Sequence, residues 1–285
     1  MKWRGRRQSS NIEDYRGSRV PRKGAVGGGI GTLIIVLVVW LLGGNPLDAL
    51  FNLSQQGAGP QTTRIEQQPV ADDDMTRFVS VVLADTEEVW GKLFREKGWQ
   101  YRKPKLVLYN DLVQSACGLS QAATGPFYCP ADEKVYLDLN FLAELQQRFR
   151  AEGDFASAYI IAHEVGHHVQ KLLGVTEQVM SLQGKVSKSE FNRYMVRLEL
   201  QADFFAGVWA HHAQKMMAIM EQGDLEEALN AASAVGDDRI QKQTQGYVVP
   251  DAFTHGTAEQ RKRWFYKGYT SGDIDQGDTF GAQRL

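Results

Sequence analysis

Cysteine is scarce in this chain: 285 residues contain two, Cys117 and Cys129. That excludes a disulfide-dense scaffold, and the pair is too far apart for the two-to-four-residue spacing of cysteine-built zinc clusters. A net excess of either charge is also missing. The formal balance is −2, whereas a general nucleic-acid binder should be basic, so no nucleic acid is expected as a partner. Internal repeats are absent, and the one polar, linker-like stretch lies near residues 53–70. What remains is ordinary for a globular protein. With 43% hydrophobic and 23% charged residues, wholesale disorder and fibrous classes are excluded. The length suffices for a sizeable core.

The charge is unevenly placed. Residues 1–23 carry Lys2, Arg4, Arg6, Arg7, Arg16, Arg19, Arg22 and Lys23 against Glu13 and Asp14, a local +6 that leaves −8 for the other 262 residues. No charged residue lies between Lys23 and Asp48. The 20 residues from Ala25 to Gly44 would cross a hydrocarbon core of about 30 Å at roughly 1.5 Å per residue. The positive-inside rule then puts the N-terminus in the cytoplasm and the rest outside. The expected organisation is a basic cytoplasmic tail (1–24), a transmembrane helix contacting membrane lipid (25–44), a flexible linker (45–71) and a single domain (72–285). A cleaved signal peptide and a buried core helix are the competing readings of the apolar run.

Within the domain, Asp72-Asp73-Asp74 supplies caps and first-turn acidity for a helix ending near Gly98. Residues 105–109 and 134–139 read as strands. Periodicity predicts helices at 140–151, 155–173, 188–221, 224–235 and 257–269. The fold class is α+β, helix-rich with a small sheet. Outside the cytoplasm, Cys117 and Cys129 would form a bridge across a short turn-rich loop; two buried thiols are the alternative.

His163-Glu164-Val165-Gly166-His167 falls inside one of these helices. Positions i and i+4 lie about 40° apart around a helix, so His163 and His167 project together and can share one cation. Neutral imidazole suits zinc and leaves it Lewis-acidic. Glu164, on the flank of that face, can act as general base toward a zinc-bound water. A second helix offers Glu199 and Asp203, again i and i+4. Glu199 can be the third metal ligand, and Asp203 can accept a hydrogen bond from a ligating imidazole, His163, fixing its tautomer.

The succession H-E-x-x-H and E-x-x-A-D resembles the gluzincin branch of zinc metallopeptidases. The chain as a whole resembles the bacterial family of neutral zinc metallopeptidases. The likeness rests on residues Met1 to Asp14 (MKWRGRRQSSNIED), Ser115-Ala-Cys-Gly118, Gly125-Pro-Phe-Tyr-Cys-Pro-Ala-Asp132, His163-Glu-Val-Gly-His-His-Val-Gln170, Glu199-Leu-Gln-Ala-Asp203 and Phe253-Thr-His-Gly-Thr-Ala-Glu-Gln-Arg261. It implies a membrane-tethered zinc hydrolase with a zincin-like fold, and it names no substrate.

The remaining histidines read differently. His168 lies about 100° from the ligand face, which suits the surface or a supporting role. His211 and His212 are too far along their helix to join the site. His255 fits a catalytic role, stabilising the oxyanion of a tetrahedral intermediate. Its setting before Thr257 and Gln260, a capping-box pair, is equally compatible with structure alone. Arg261 reads as an exposed helix arginine, with pairing to Asp203 or another buried carboxylate as the alternative. Strand 134–139 is either a sheet edge that pairs with an extended peptide or an ordinary interior strand. The expected function is that of a zinc metalloendopeptidase with one Zn²⁺ per chain and a peptide or protein substrate, working outside the inner membrane. A non-catalytic metal-binding scaffold and an amidase of the cell wall are the rivals.

Overall fold

The computed structural model describes residues 1–16, 70–121, 125–142 and 153–285. The chain divides into one compact unit of Met1–Gly17 with Gln67–Leu285, and a second of Ser18–Glu66. The second unit, with the expected transmembrane helix 25–44 and most of the linker, lies outside the described residues, as does most of the helix expected at 140–151. Among the described residues no helix is long and apolar enough to cross a membrane.

The first unit is α+β. A four-stranded sheet runs in the order β1 (Ile12–Asp14), β2 (Lys105–Tyr109), β6 (Lys134–Asp138), β5 (Phe127–Cys129), and β3 (Leu112–Ser115) pairs with β4 (Gly118–Gln121) in a separate hairpin. β1, β2 and β6 are parallel, while β5 is antiparallel to β6. Helices α1 (Asp74–Glu96), α2 (Asp154–Leu172), α3 (Val175–Met180), α4 (Lys188–Met217), α5 (Asp224–Ala234), α6 (Asp237–Gln245) and α7 (Ala258–Ser271) make up the rest. Trp90 and Phe94 of α1, Phe155 and Tyr159 of α2, Phe204, Phe205 and Trp209 of α4 and Phe265 of α7 are all fully buried. These large side chains form the core that holds α2 and α4 in place, each burial contributing about 1.5–3 kcal/mol.

Two glycines set helix spacing. A Cβ on Gly166 of α2 would meet the Ala202 carbonyl oxygen of α4 at 2.9 Å. On Gly207 of α4 it would sit 2.1 Å from the Phe265 carbonyl oxygen of α7. Backbone-to-backbone contact at both crossings requires residues without side chains.

The N-terminal segment corrects the expected organisation. Residues 1–16 are part of the domain. β1 adds to the sheet beside β2, with backbone bonds from Leu106 N–H to Asn11 O (2.8 Å) and from Tyr15 N–H to Leu108 O (2.8 Å). Lys2 N–H donates to Ile219 O at 2.7 Å, and the Met1 amine contacts Asp154 and Asp224. The basic residues that suggested a cytoplasmic tail pair with acids of the domain: Arg6 with Asp85 (2.7 Å), Arg7 with Glu87 (3.3 Å) and Arg16 with Asp73 (3.1 Å). Glu13 is held between Lys105 (2.6 Å) and Lys134 (2.7 Å). Burial opposes ionisation of Glu13, but the two ammonium groups outweigh it and lower its pKa. Arg4, Arg6, Arg7 and Arg16 of the +6 segment are thus charge partners of acids in the −8 segment. Contrary to the expected topology, residues 1–16 do not lie across a membrane from the sheet of the domain, because a strand hydrogen-bonded into a sheet shares that sheet's compartment.

The structure decides between the two readings of strand 134–139. β6 is interior, between β2 and β5, and the end position on this side belongs to β5. The turn-rich surroundings of this three-residue strand concealed it in the sequence. Cys117 and Cys129 form a disulfide that ties β5 to the turn of the β3–β4 hairpin, with Cα atoms 5.8 Å apart.

Candidate metal centre

α2 and α4 bring the expected residues together. His163 Nε2 lies 3.2 Å from Glu199 Oε2, and His167 Nε2 lies 3.5 Å from Glu199 Oε1. One donor atom from each of His163, His167 and Glu199 can be chosen so that all lie within 4.8 Å of one another. Two imidazole nitrogens and one carboxylate are a donor set suited to zinc, and three protein ligands leave a coordination position free for chemistry. The residues present therefore fit the ion.

Hydrogen bonds behind the donors fix their orientation. His163 Nδ1 donates to Asp203 Oδ1 at 2.8 Å, which directs Nε2 toward Glu199. Asp203 is fully buried and also accepts from Arg261, whose Nε reaches Oδ2 at 2.8 Å and Nη2 reaches Oδ1 at 3.0 Å. The Tyr159 hydroxyl donates to the same carboxylate, and Arg261 Nη1 donates to Val235 O at 3.1 Å. His167 Nδ1 donates to Gln170 Oε1 at 2.9 Å, while the Gln170 amide nitrogen binds Leu198 O at 2.6 Å. Each imidazole thus has its own tether, one anionic and one neutral.

The electrostatics follow from burial and pairing. Burial disfavours charge on Asp203, but Arg261 and His163 outweigh it and lower its pKa. Burial likewise opposes a proton on His163, yet Asp203 and Glu199 push its pKa up to about 10. Glu199 is held well below the usual carboxylate range by His167 and His255, against the opposing effect of burial. The cluster presents two buried anions, and a cation there would take over the neutralising role of the His163 proton.

The donors sit in the wall of a cavity of about 600 Å³, shared by Glu164, His255 and Arg261. Much of the remaining lining is apolar, including Phe127, Phe141, Met195 and Leu198. Glu164 is 7% exposed and opens onto this space beside the donors. His255 lines it too, its side chain half exposed, with Nδ1 3.2 Å from Asp237 Oδ1. Asp237 Oδ2 accepts the backbone N–H groups of Thr254 (2.8 Å), His255 (2.7 Å) and Gly256 (3.0 Å). The capping box of Thr257 and Gln260 forms as well, so the structural role of this turn and the placement of His255 at the cavity coexist.

Three residues differ from expectation or escaped it. Arg261 is 3% exposed and bound to Asp203, not an exposed helix arginine. Tyr159 and Gln170 support the donors without having been singled out; Gln170 ends the His163–Gln170 stretch, and both stand at helical spacing, four from His163 and three from His167. His211 and His212 stand away from the cluster, as expected, bonded to the Tyr269 and Gly272 carbonyls at 2.8 Å each.

Comparison with known sequences agrees with this cluster. Residues 1–280 match the model of a family described as "Putative neutral zinc metallopeptidase". The chain belongs to that family. Uncharacterized protein YpfJ of Escherichia coli (strain K12) is 49% identical over 286 residues, covering 99% of both chains. Uncharacterized protein Rv2575 of Mycobacterium tuberculosis (strain ATCC 25618 / H37Rv) is 40% identical over 227 residues, or 74% of each. No solved structure matches the chain significantly. Membership in this zinc metallopeptidase family makes the protein a hydrolase in broad class, and the match takes in the N-terminal strand as well as the metal cluster.

Proposed function

We propose that the protein is a zinc-dependent endopeptidase of zincin-like architecture that cleaves peptide or protein substrates outside the cytoplasm. The observation that carries the reading is the convergence of His163, His167 and Glu199 in the wall of a cavity that Glu164 also lines. A structural metal site would be closed by a fourth protein ligand.

Bound by these three residues, zinc would supply a Lewis acid that polarises a carbonyl and lowers the pKa of water. The chain's own groups account for the rest. Glu164 takes the proton of the attacking water on its carboxylate and returns it to the departing amine nitrogen. His255, oriented through Nδ1 by Asp237, offers Nε2–H to the oxygen on which negative charge develops. β5, at the end of the strand order, offers its outer backbone groups to an extended peptide, giving main-chain bonds with little side-chain selectivity.

The apolar run at 25–44 holds the protein at a membrane, and the disulfide suits an oxidising compartment. β1 and the sheet it joins would then lie on one side of that membrane. Single cysteines at exposed Arg4 and Gln283, in full-length protein in intact cells, should react together with a membrane-impermeant maleimide; labelling of one alone would overturn this topology.

The mechanism is tested by the full-length Glu164→Gln variant. It should bind one zinc per chain and lose at least about a thousandfold in hydrolysis of a denatured protein. Undiminished cleavage by that variant, or wild-type protein without stoichiometric zinc, would refute the reading.

A further inference from the structure

His168 follows the second metal ligand, yet its side chain serves a different wall of the cavity. It is fully buried. Its Nε2 lies 2.6 Å from the Arg102 carbonyl oxygen, and its Nδ1 lies 2.9 Å from the Tyr128 hydroxyl. A carbonyl can only accept, so Nε2 carries the hydrogen and Nδ1 accepts from Tyr128. One neutral tautomer satisfies both bonds. The rings of Tyr101 and Tyr128 meet the imidazole edge-on, with centroids 5.8 and 5.4 Å away.

Tyr128 is the middle residue of β5. Its neighbours Phe127 and Cys129 point to the opposite face, where Phe127 stacks on Tyr136 and Cys129 enters the disulfide. Tyr128 is therefore the β5 side chain directed at α2, and its hydroxyl ends on His168. It also lines the cavity. Because His168 is covalently next to His167, a rigid connection of one tyrosine and one imidazole runs from the metal-ligand helix to the end strand of the sheet.

We infer that His168 is a positioning residue: through Tyr128 it sets the spacing between β5 and the metal ligands of α2. An extended peptide added along β5 then brings its scissile carbonyl to Glu164. This inference rests on the peptidase reading. It assigns His168 to placement of the substrate, and neither to metal binding nor to proton transfer.

The test uses full-length zinc-loaded wild type, His168→Gln and Tyr128→Phe, the last keeping the ring and removing only the hydroxyl. Two substrates are compared: a blocked dipeptide amide that spans the scissile bond alone, and an eight-residue peptide containing the same bond. Loss of one or two buried hydrogen bonds should lower kcat/KM for the long peptide about tenfold or more, chiefly through KM. The short substrate should lose less than about threefold, and zinc content should not change. In the Glu164→Gln background, adding His168→Gln should weaken binding of the eight-residue peptide by a similar factor. The double variant His168→Gln/Tyr128→Phe should be no worse than His168→Gln, since both remove one connection. Equal losses on both substrates, or no loss on the long one, would overturn the inference. If His168→Gln fails to fold, Tyr128→Phe decides between the same outcomes. Wild type that holds zinc but cleaves neither peptide would overturn the peptidase reading itself, and this inference with it.

Discussion

The cavity has two unlike walls. The helical wall is built of buried charges: His163 and Glu199 on α2 and α4 and Arg261 on α7 line it, with Asp203 behind them, and the Asp203 and Arg261 side chains are 0% and 4% exposed. The sheet wall is built from β5, with the backbone of the strand, the ring of Tyr128 and then Pro130, anchored by the disulfide and by His168. On the first wall His163, Glu199 and Arg261 each depend on an oppositely charged neighbour, so it tolerates little alteration. On the second, backbone and apolar surface do the work, and position matters more than charge. The contrast assigns bond-breaking chemistry to the helices and recognition to the strand.

The sharpest way to break this comparison is Asp203→Ala. It leaves Arg261 buried without its partner, which should reduce stability by about 3–5 kcal/mol, and frees the His163 ring. Metal affinity should fall about 10- to 100-fold. Thermal denaturation and zinc titration of the variant would show it; a variant as stable and as tight as wild type would mean the helical wall is not held by charge. A smaller effect is expected from Cys117→Ser/Cys129→Ser. Loss of the loop closure should reduce stability by about 3 kcal/mol, and cleavage of long peptides should weaken with zinc content unchanged. If zinc is lost as well, the two walls do not act separately.

The metal cluster was largely legible because its parts are local. His163 and His167 on one helix, and Glu199 and Asp203 on another, follow the i, i+4 rule, and flanking apolar residues declare both helices buried. Its supports were less so. Arg261 stands in a polar first turn and looks solvent-facing; only the arrival of Asp203 from α4 makes it an interior residue. His168 could be placed 100° from the ligands by helix geometry, but nothing local says that β5 waits on that side.

The N-terminus shows the same limit in a stronger form. Eight basic residues beside an apolar run suggested a location across a membrane, and that inference fails for residues 1–16. Arg6 and Arg7 find their acids about 80 positions downstream, a pairing that no window of sequence contains, and Arg16 joins its neighbour Asp14 to Asp73, 57 positions on. β1 is three residues long, too short for any periodic signal, and exists because β2 accepts it.

By itself, then, the amino-acid sequence determined helices α1, α2, α4, α5 and α7, the two ligand-bearing motifs and the family, all of which depend on residues within a few turns of one another. Only the tertiary structure decided the strand order, the buried Arg261–Asp203 pair, the His168–Tyr128 connection and the place of the N-terminal strand. Hydrogen bonds and ion pairs of that kind join residues tens to hundreds of positions apart, and their partners become neighbours only when the core forms.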